Sequence, residues 1–324
     1  MPSRKFFILF LSLILSLAAF SVLWADTGDA YHGSNFLKVK PGARANGMGP
    51  AYLGISDDLS TVFWNPAGAV TILDSSMQMG LGLMNYNTYL GHFALNINST
   101  DFCIGTGIML YQYDDIVTYD AAGNPGDELK NYQGYGLFNF SFFLTDFSSM
   151  GFTAKAGTRK LEDNTIYTLS GGLGLMVEYL LQFVLVVDDI GYSWDKLTDQ
   201  YQFINPELSF GVAYFSKNNR GRKVLGASFT ASRGLDLGEA ETRLGLGGFI
   251  EVWHSDTEIE DYFSKKKSKP SAFFLNLGFQ NYHGVSFSGG FTLVLFEIKM
   301  DYAISFPTKY NEDFSHYATL EFSF

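Results

Sequence analysis

From Ser76 onward the chain alternates apolar and polar residues with a period of two, the pattern of strands with two different faces and not of helices. In the last segment Ala318, Leu320, Phe322 and Phe324 point one way, and Tyr317, Thr319, Glu321 and Ser323 the other. Phe152, Ala154 and Ala156 alternate with Thr153, Lys155, Gly157 and Arg159. Leu244, Leu246, Ile250 and Val252 alternate with Arg243, Gly245, Gly247 and Glu251, and Ile298, Met300, Tyr302 and Ile304 with Glu297, Lys299 and Asp301. A soluble sandwich also alternates. Repetition with glycine and charge on the non-apolar face points instead to lipid outside and a polar lumen inside.

Fourteen such segments are read, at 76–84, 89–98, 102–113, 133–144, 150–160, 167–177, 181–188, 207–215, 223–231, 242–252, 272–280, 285–294, 297–304 and 315–324. Most are close to the ~9–11 residues of a tilted membrane-spanning strand. The even number suits a barrel whose ends both face the periplasm. The fold class is therefore all-β: a transmembrane antiparallel barrel of about fourteen strands with a small N-terminal plug. Gly171–Val187 is apolar enough for a buried helix, but its odd positions are apolar throughout, so it is read as two strands with a turn at Glu178–Leu180. The polar stretches Asp114–Asn131 and Asp188–Pro206 fall on the outer side, where long loops belong. Trp253–Ser271, with Lys265, Lys266, Lys267 and Lys269, falls on the periplasmic side. That is the wrong side for a long loop, and implies either an exception or a strand count off by one nearby.

Residues 26–75 lack the alternation. Ser56 could cap a short helix with Asp57 and Asp58 in its first turn, ended by Pro66, which disfavours helix at Asn65. Gly42, Gly47 and Gly49 suggest a phosphate loop only weakly, because no Gly-Lys-Ser/Thr ending follows. About fifty small and turn-forming residues before a barrel read best as a plug folded into its lumen. Ahead of them, Arg4 and Lys5, the apolar run Phe6 to Leu23 and the small Ala25 read as a signal peptide. The alternative is a membrane anchor, disfavoured by the lack of a following basic cluster. The expected division is 1–25 signal peptide, 26–75 plug and 76–324 barrel.

Composition sharpens this. Mean hydropathy is +0.05 although 47% of residues are hydrophobic and 17% aromatic, with 34 glycines among 324 residues. A bundle of transmembrane helices would be far more apolar. Removing Arg4 and Lys5 takes the net charge from −11 to −13, which argues against nucleic acid and anionic headgroups as partners. Cys103 is the single cysteine, so no intrachain disulfide holds the fold, and a closed hydrogen-bonded barrel would serve instead.

One stretch carries a resemblance. Phe36-Leu37-Lys38-Val39, Gly42-Ala43-Arg44-Ala45, Gly47-Met48-Gly49, Asp57-Asp58 and Trp64-Asn65-Pro66-Ala67-Gly68 resemble the N-terminus of the PorV/PorQ branch of FadL-like outer-membrane proteins and of uncharacterised spirochaete relatives. Asn65-Pro66-Ala67 matches the NPA motif of the FadL plug. Val187-Asp188-Asp189-Ile190-Gly191 and Asp301-Tyr302-Ala303 look like strand-end motifs of the same branch. The resemblance implies a fourteen-stranded barrel with an N-terminal hatch in the outer membrane of a diderm bacterium. It implies uptake of long-chain fatty acids or similar hydrophobic molecules, with lateral exit through a kinked third strand. Gly105 and Gly107 could permit that kink, although packing against the plug explains them as well. In resembling barrels a final aromatic, here Phe324 with Phe322, is what the barrel assembly machinery recognises.

Candidate chemistry is sparse. His32, His92, His254, His283 and His316 do not pair at ligand spacing, so no metal is expected. No nucleophile elbow or other catalytic constellation appears, and neither an enzyme nor a cofactor is expected. Asp114-Asp115 and Asp188-Asp189 sit at strand ends and are read as solvated or turn residues. Of the lumen charges, Lys155, Arg159 and Arg243 could hold a carboxylate headgroup, or pair with Glu251, Glu297 and Asp301 to fix the plug. The leading expectation is a transporter of hydrophobic molecules that opens by plug movement near Asn65-Pro66-Ala67. The partners would be outer-membrane lipid and a fatty acid-like ligand. Alternatives are a barrel that docks secreted proteins, as the PorV resemblance implies, or a plain diffusion pore.

Overall fold

The computed structural model describes residues 36–84, 88–113, 116–119, 122, 124–129, 131–161, 164–218, 222–235, 242–261, 264–281, 285–308 and 314–324. The expected signal peptide, His32, His283 and Asp114-Asp115 lie outside the described residues.

Fourteen antiparallel strands close into a barrel. In chain order they are β1 (Ser76–Met84), β2 (Thr88–Asn98), β3 (Phe102–Gln112), then, after the separate hairpin β4 (Ile116–Tyr119) and β5 (Pro125–Leu129), β6 (Asn131–Thr145), β7 (Ser148–Leu161), β8 (Asn164–Glu178) and β9 (Gln182–Asp195). After β10 (Gln200–Ile204) follow β11 (Glu207–Lys217), β12 (Lys223–Gly234), β13 (Thr242–Asp261), β14 (Ser264–Asn281), β15 (Val285–Leu295), β16 (Ile298–Pro307) and β17 (Ser315–Ser323). β17 pairs with β1 to close the ring, and β10 adds only to the far end of β9. Each of the fourteen alternating segments is a wall strand.

The alternation sorts as two solvents require. On β7, Thr153 and Lys155 are buried in the lumen while Phe152, Ala154 and Ala156 face out. On β17, Thr319 and Glu321 point in. Among the described residues no helix is long and apolar enough to cross a membrane. Aromatic rows stand on the outer face, including Tyr167, Trp194 and Tyr201 stacked in sequence near one rim, and Phe102, Phe140, Phe142 and Phe152 near the other. Such girdles place amphipathic rings at the membrane interfaces.

Several sequence expectations are corrected. Trp253–Ser271 is not an irregular loop. β13 and β14 continue pairing from Trp253↔Phe273 to Asp261↔Ser264, a long hairpin on the same rim as Ser76 and Phe324. The strand count was right, and the long connection does project from that rim, which is the exception. Asp114–Asn131 contains the β4–β5 hairpin, and Asp188–Pro206 is largely the end of β9 and its partner β10.

Residues 36–75 fill the lumen. The short helices α1 (Ala43–Met48), α2 (Tyr52–Ile55) and α3 (Thr61–Trp64) are joined by tight turns, and a 3-10 helix, Pro66–Thr71, leads to β1. The core lies between this plug and the inner wall: Phe36, Leu37, Leu59, Val62 and Phe63 pack on Leu90, Ala94, Cys103, Met109, Tyr135 and Leu137. Ser56 does not start a helix. It ends α2 in the left-handed region, with φ 45, and its hydroxyl donates to the Leu53 carbonyl of that helix. α3 ends at Trp64, and Asn65, before Pro66, is extended.

Candidate functional site

Two polar layers hold the plug. Toward the terminal rim Arg44 is buried and donates to both carboxylate oxygens of Asp57, at 3.0 and 2.7 Å, and to Asn276 and Thr292 on the wall. Its guanidinium lies 4.7 Å from the Phe249 ring centroid. Burial alone would weaken the charge of both partners. The ion pair outweighs it, holding the Asp57 carboxyl down at about 2 and Arg44 above its ordinary value. Asp58 accepts from the Tyr52 hydroxyl at 2.5 Å and from Lys299 on β16 at 2.6 Å. Burial and then the neighbouring Asp58 charge keep that hydroxyl protonated well above its ordinary range. Glu321 accepts from Gln78 at 3.0 Å, and Gln78 in turn accepts from Ser60.

The second layer lies at mid-height. The β8–β9 ladder shifts register between Gly171 and Leu173, and Asp189 takes a left-handed φ of 61. A bulge places two residues opposite one. Consecutive residues of a strand normally face opposite ways, but here Asp188 and Asp189 both reach the lumen. Lys155 donates to them at 2.7 and 2.9 Å, and Lys40 of the plug lies 3.3 Å from Asp188.

Between the plug and the far rim is a cavity of about 250 Å3. Its wall mixes Leu53, Trp64, Met84 and Leu90 with the cations Lys38, Lys40 and Arg243 and a single acid, Glu207. It exceeds the ~150 Å3 that accommodates benzene in a dry engineered cavity. Its lining suits a molecule with an apolar body and an anionic or polar end.

No family model matches the sequence, and no curated protein matches it. Solved structures do match in shape. The toluene transporter TodX of Pseudomonas putida superposes with a TM-score of 0.59 at 9% identity, over 86% of this chain and 98% of its own. The CymD monoaromatic hydrocarbon channel gives 0.56 at 12% identity over 86% and 98%. A Pseudomonas aeruginosa FadL homologue gives 0.52 at 11% identity over 88% and 98%. The fold is a FadL-type barrel. At these identities the likeness is one of fold, and none of the three represents the PorV/PorQ branch or its spirochaete relatives.

Within this FadL-type barrel the residues singled out from sequence fall in distinct places. Asn65 caps the 3-10 helix by accepting from Ala67 N at 3.1 Å. The carbonyls of Pro66 and Ala67 accept from Asn139 and Ser149 on the wall. Gly151 and Gly174 let the wall approach this motif so closely that a Cβ on Gly151 would collide with the Pro66 carbonyl. The motif is thus a docked contact in this state. Gly42 takes φ 110 at the entry to α1, Gly49 takes φ 61 at its exit, and the Gly47 carbonyl accepts from Ser288.

Gly105 and Gly107 face Val62 and Phe63 of the plug. β3 pairs in one unbroken register with β2 and β6, with no bulge at either glycine. Of the three cations, Arg243 lines the cavity, 3.4 Å from Glu207. Lys155 is occupied by Asp188 and Asp189, and it is these acids, not Glu251, Glu297 or Asp301, that fix it. Arg159 lies further toward the far rim, its Nε buried with no hydrogen-bond partner among the described residues. Asp188-Asp189 is corrected from a solvated strand end to a buried ionic centre. Lys40, Glu207 and Asp58 were not singled out as site residues. A bulge leaves no periodic signal, and plug residues lack a period from which a face could be read. Among the described residues no group of His, Cys, Asp or Glu could hold a metal ion.

Proposed function

We infer that this protein is an outer-membrane channel for hydrophobic small molecules, with long-chain fatty acids as its leading ligand class. The carrying observation is the cavity between the plug and the far rim, lined by both apolar side chains and Arg243, Lys38 and Lys40. An acyl chain would lie against Trp64, Leu53 and Leu90, with its carboxylate at the cations. The FadL-type fold, shared with a toluene transporter and a hydrocarbon channel, supports the same class. A lumen occupied by a docked plug favours gated passage over an open pore. In this reading the terminal rim faces the periplasm, after export directed by residues 1–25, and outer-membrane lipid covers the apolar face.

The test is uptake of labelled dodecanoate and oleate by cells with and without the protein, together with R243Q. Uptake should fall on deletion and stay low with R243Q. Unchanged uptake on deletion, with no lipid bound to the purified barrel, would sink the reading.

A further inference from the structure

The bulge that turns Asp188 and Asp189 into the lumen creates a four-charge cluster with Lys155 and Lys40. Three members belong to the wall and one to the plug. Lys155 is enclosed, with 2% side-chain exposure, and touches both acids. Lys40 sits at the longer distance from Asp188, retains 10% exposure, and lines the cavity. One cation of the cluster is therefore a fixed strut, and the other borders the space where a ligand would sit.

We propose that Lys40 is an exchangeable anion-recognition residue. Its ion pair with Asp188 latches residues 39–42 of the plug to the wall, and a carboxylate-bearing molecule in the cavity releases that latch by taking Lys40 in place of Asp188. The inference rests on reading the cavity as the ligand site. Three features make the exchange feasible.

Asp188 keeps Lys155 at 2.7 Å after Lys40 leaves, so it is not abandoned as an unpaired buried charge. The Lys40 ammonium lies 5.7 Å from the Trp64 ring centroid, a contact that can follow it toward the cavity. Residues 39–42 have no regular secondary structure and end at Gly42, whose φ of 110 only glycine adopts readily, which makes it a natural pivot before α1. The strap is otherwise tethered by the Val39 carbonyl, which accepts from Tyr135, the Pro41 carbonyl, which accepts from Trp64, and the Lys40 and Gly42 carbonyls, which accept from the Asn46 side chain of α1, so the Lys40 side chain can leave Asp188 while its backbone stays on α1.

The full-length barrel in detergent would be compared as wild type, K40Q and D188N by amide hydrogen exchange, first without ligand. Exchange over residues 37–42 should quicken about tenfold in both variants, the loss expected for one charge-assisted contact, while α1 stays as protected as in wild type. Dodecanoate should then quicken the strap in wild type, leave K40Q unchanged and bind K40Q about tenfold more weakly. Equal strap exchange in all three ligand-free proteins overturns the latch, and dodecanoate binding K40Q as tightly as wild type overturns the exchange. Failure of dodecanoate to bind wild type overturns the channel reading and the release step, while the ligand-free comparison still decides the latch. K40Q is also the safer variant for folding, since Lys155 keeps both acids paired.

Discussion

Lys299 on the barrel wall and Asp58 on the plug meet at 2.6 Å, although 241 residues separate them. The pair is buried, with 15% and 1% side-chain exposure. Lys299 also lies 3.8 Å from Glu321 and 3.9 Å from Asp301, so one wall cation serves three acids, and the Asp58 contact joins parts of the chain that share no covalent neighbourhood. Truncating one partner of a buried pair costs up to about 3–5 kcal/mol, less here because Asp58 keeps its hydrogen bonds from the Tyr52 hydroxyl and the Ser60 amide. K299M should therefore loosen the plug while leaving the barrel closed. Hydrogen exchange over residues 57–60 should rise while the wall strands keep their protection; unaltered exchange there would show that the pair does not secure the plug.

The Arg44–Asp57 pair, with both partners in the plug, sets an acid limit on the plug's own folded arrangement. Asp57 is held at about 2, below its usual 3.8. A depressed carboxylate contributes stability that is complete above its unfolded value and fades as pH falls through its folded value. The plug's folded arrangement should thus be constant above about pH 5 and weaken by roughly 2 kcal/mol as pH approaches 2. Protease sensitivity of the plug across that range checks it. In R44M the acid step should disappear, since Asp57 then has no guanidinium to lose.

Close approach at the NPA motif predicts a steric result. G151A would press a methyl group into the Pro66 carbonyl, and overpacking of this kind costs about 1–3 kcal/mol. The plug should shift and single-channel conductance rise above the wild-type level. G91A is the control. Its Cβ would meet only Leu81 at 3.8 Å, an ordinary contact, and conductance should not change.

Phe324 is 70% exposed, and its backbone N–H donates to Ser75 at 2.8 Å. Its ring adds little to the packing of the finished barrel. If Phe324 and Phe322 are read by the assembly machinery, F324A should lower the amount of assembled barrel in cells without lowering its melting temperature. The ratio of heat-modifiable to total protein measures the first, and thermal unfolding of purified barrel the second. A parallel fall in both would assign Phe324 to stability instead.

The wall strands were legible because each obeys a local rule. A side chain faces either lipid or lumen, and a period of two records the choice residue by residue, as at Phe152 and Thr153 or Leu320 and Glu321. The odd apolar positions of Leu173 to Val187 distinguished two strands from a helix for the same reason. The plug carried no such record. Its residues contact wall on many sides, so Arg44 and Asp58 could be recognised as conspicuous but not assigned to Asn276 or Lys299.

The sequence by itself determined that this chain makes a fourteen-strand barrel with a non-alternating segment ahead of it, because alternation is written locally. Tertiary structure alone decided where the charges went. It took a bulge opposite Gly172 to bring both Asp188 and Asp189 inward, and the folding of the plug into the lumen to set Lys40 beside them and leave a cavity at Arg243. Those placements depend on register and on contacts between distant segments, which residue spacing along one strand does not encode.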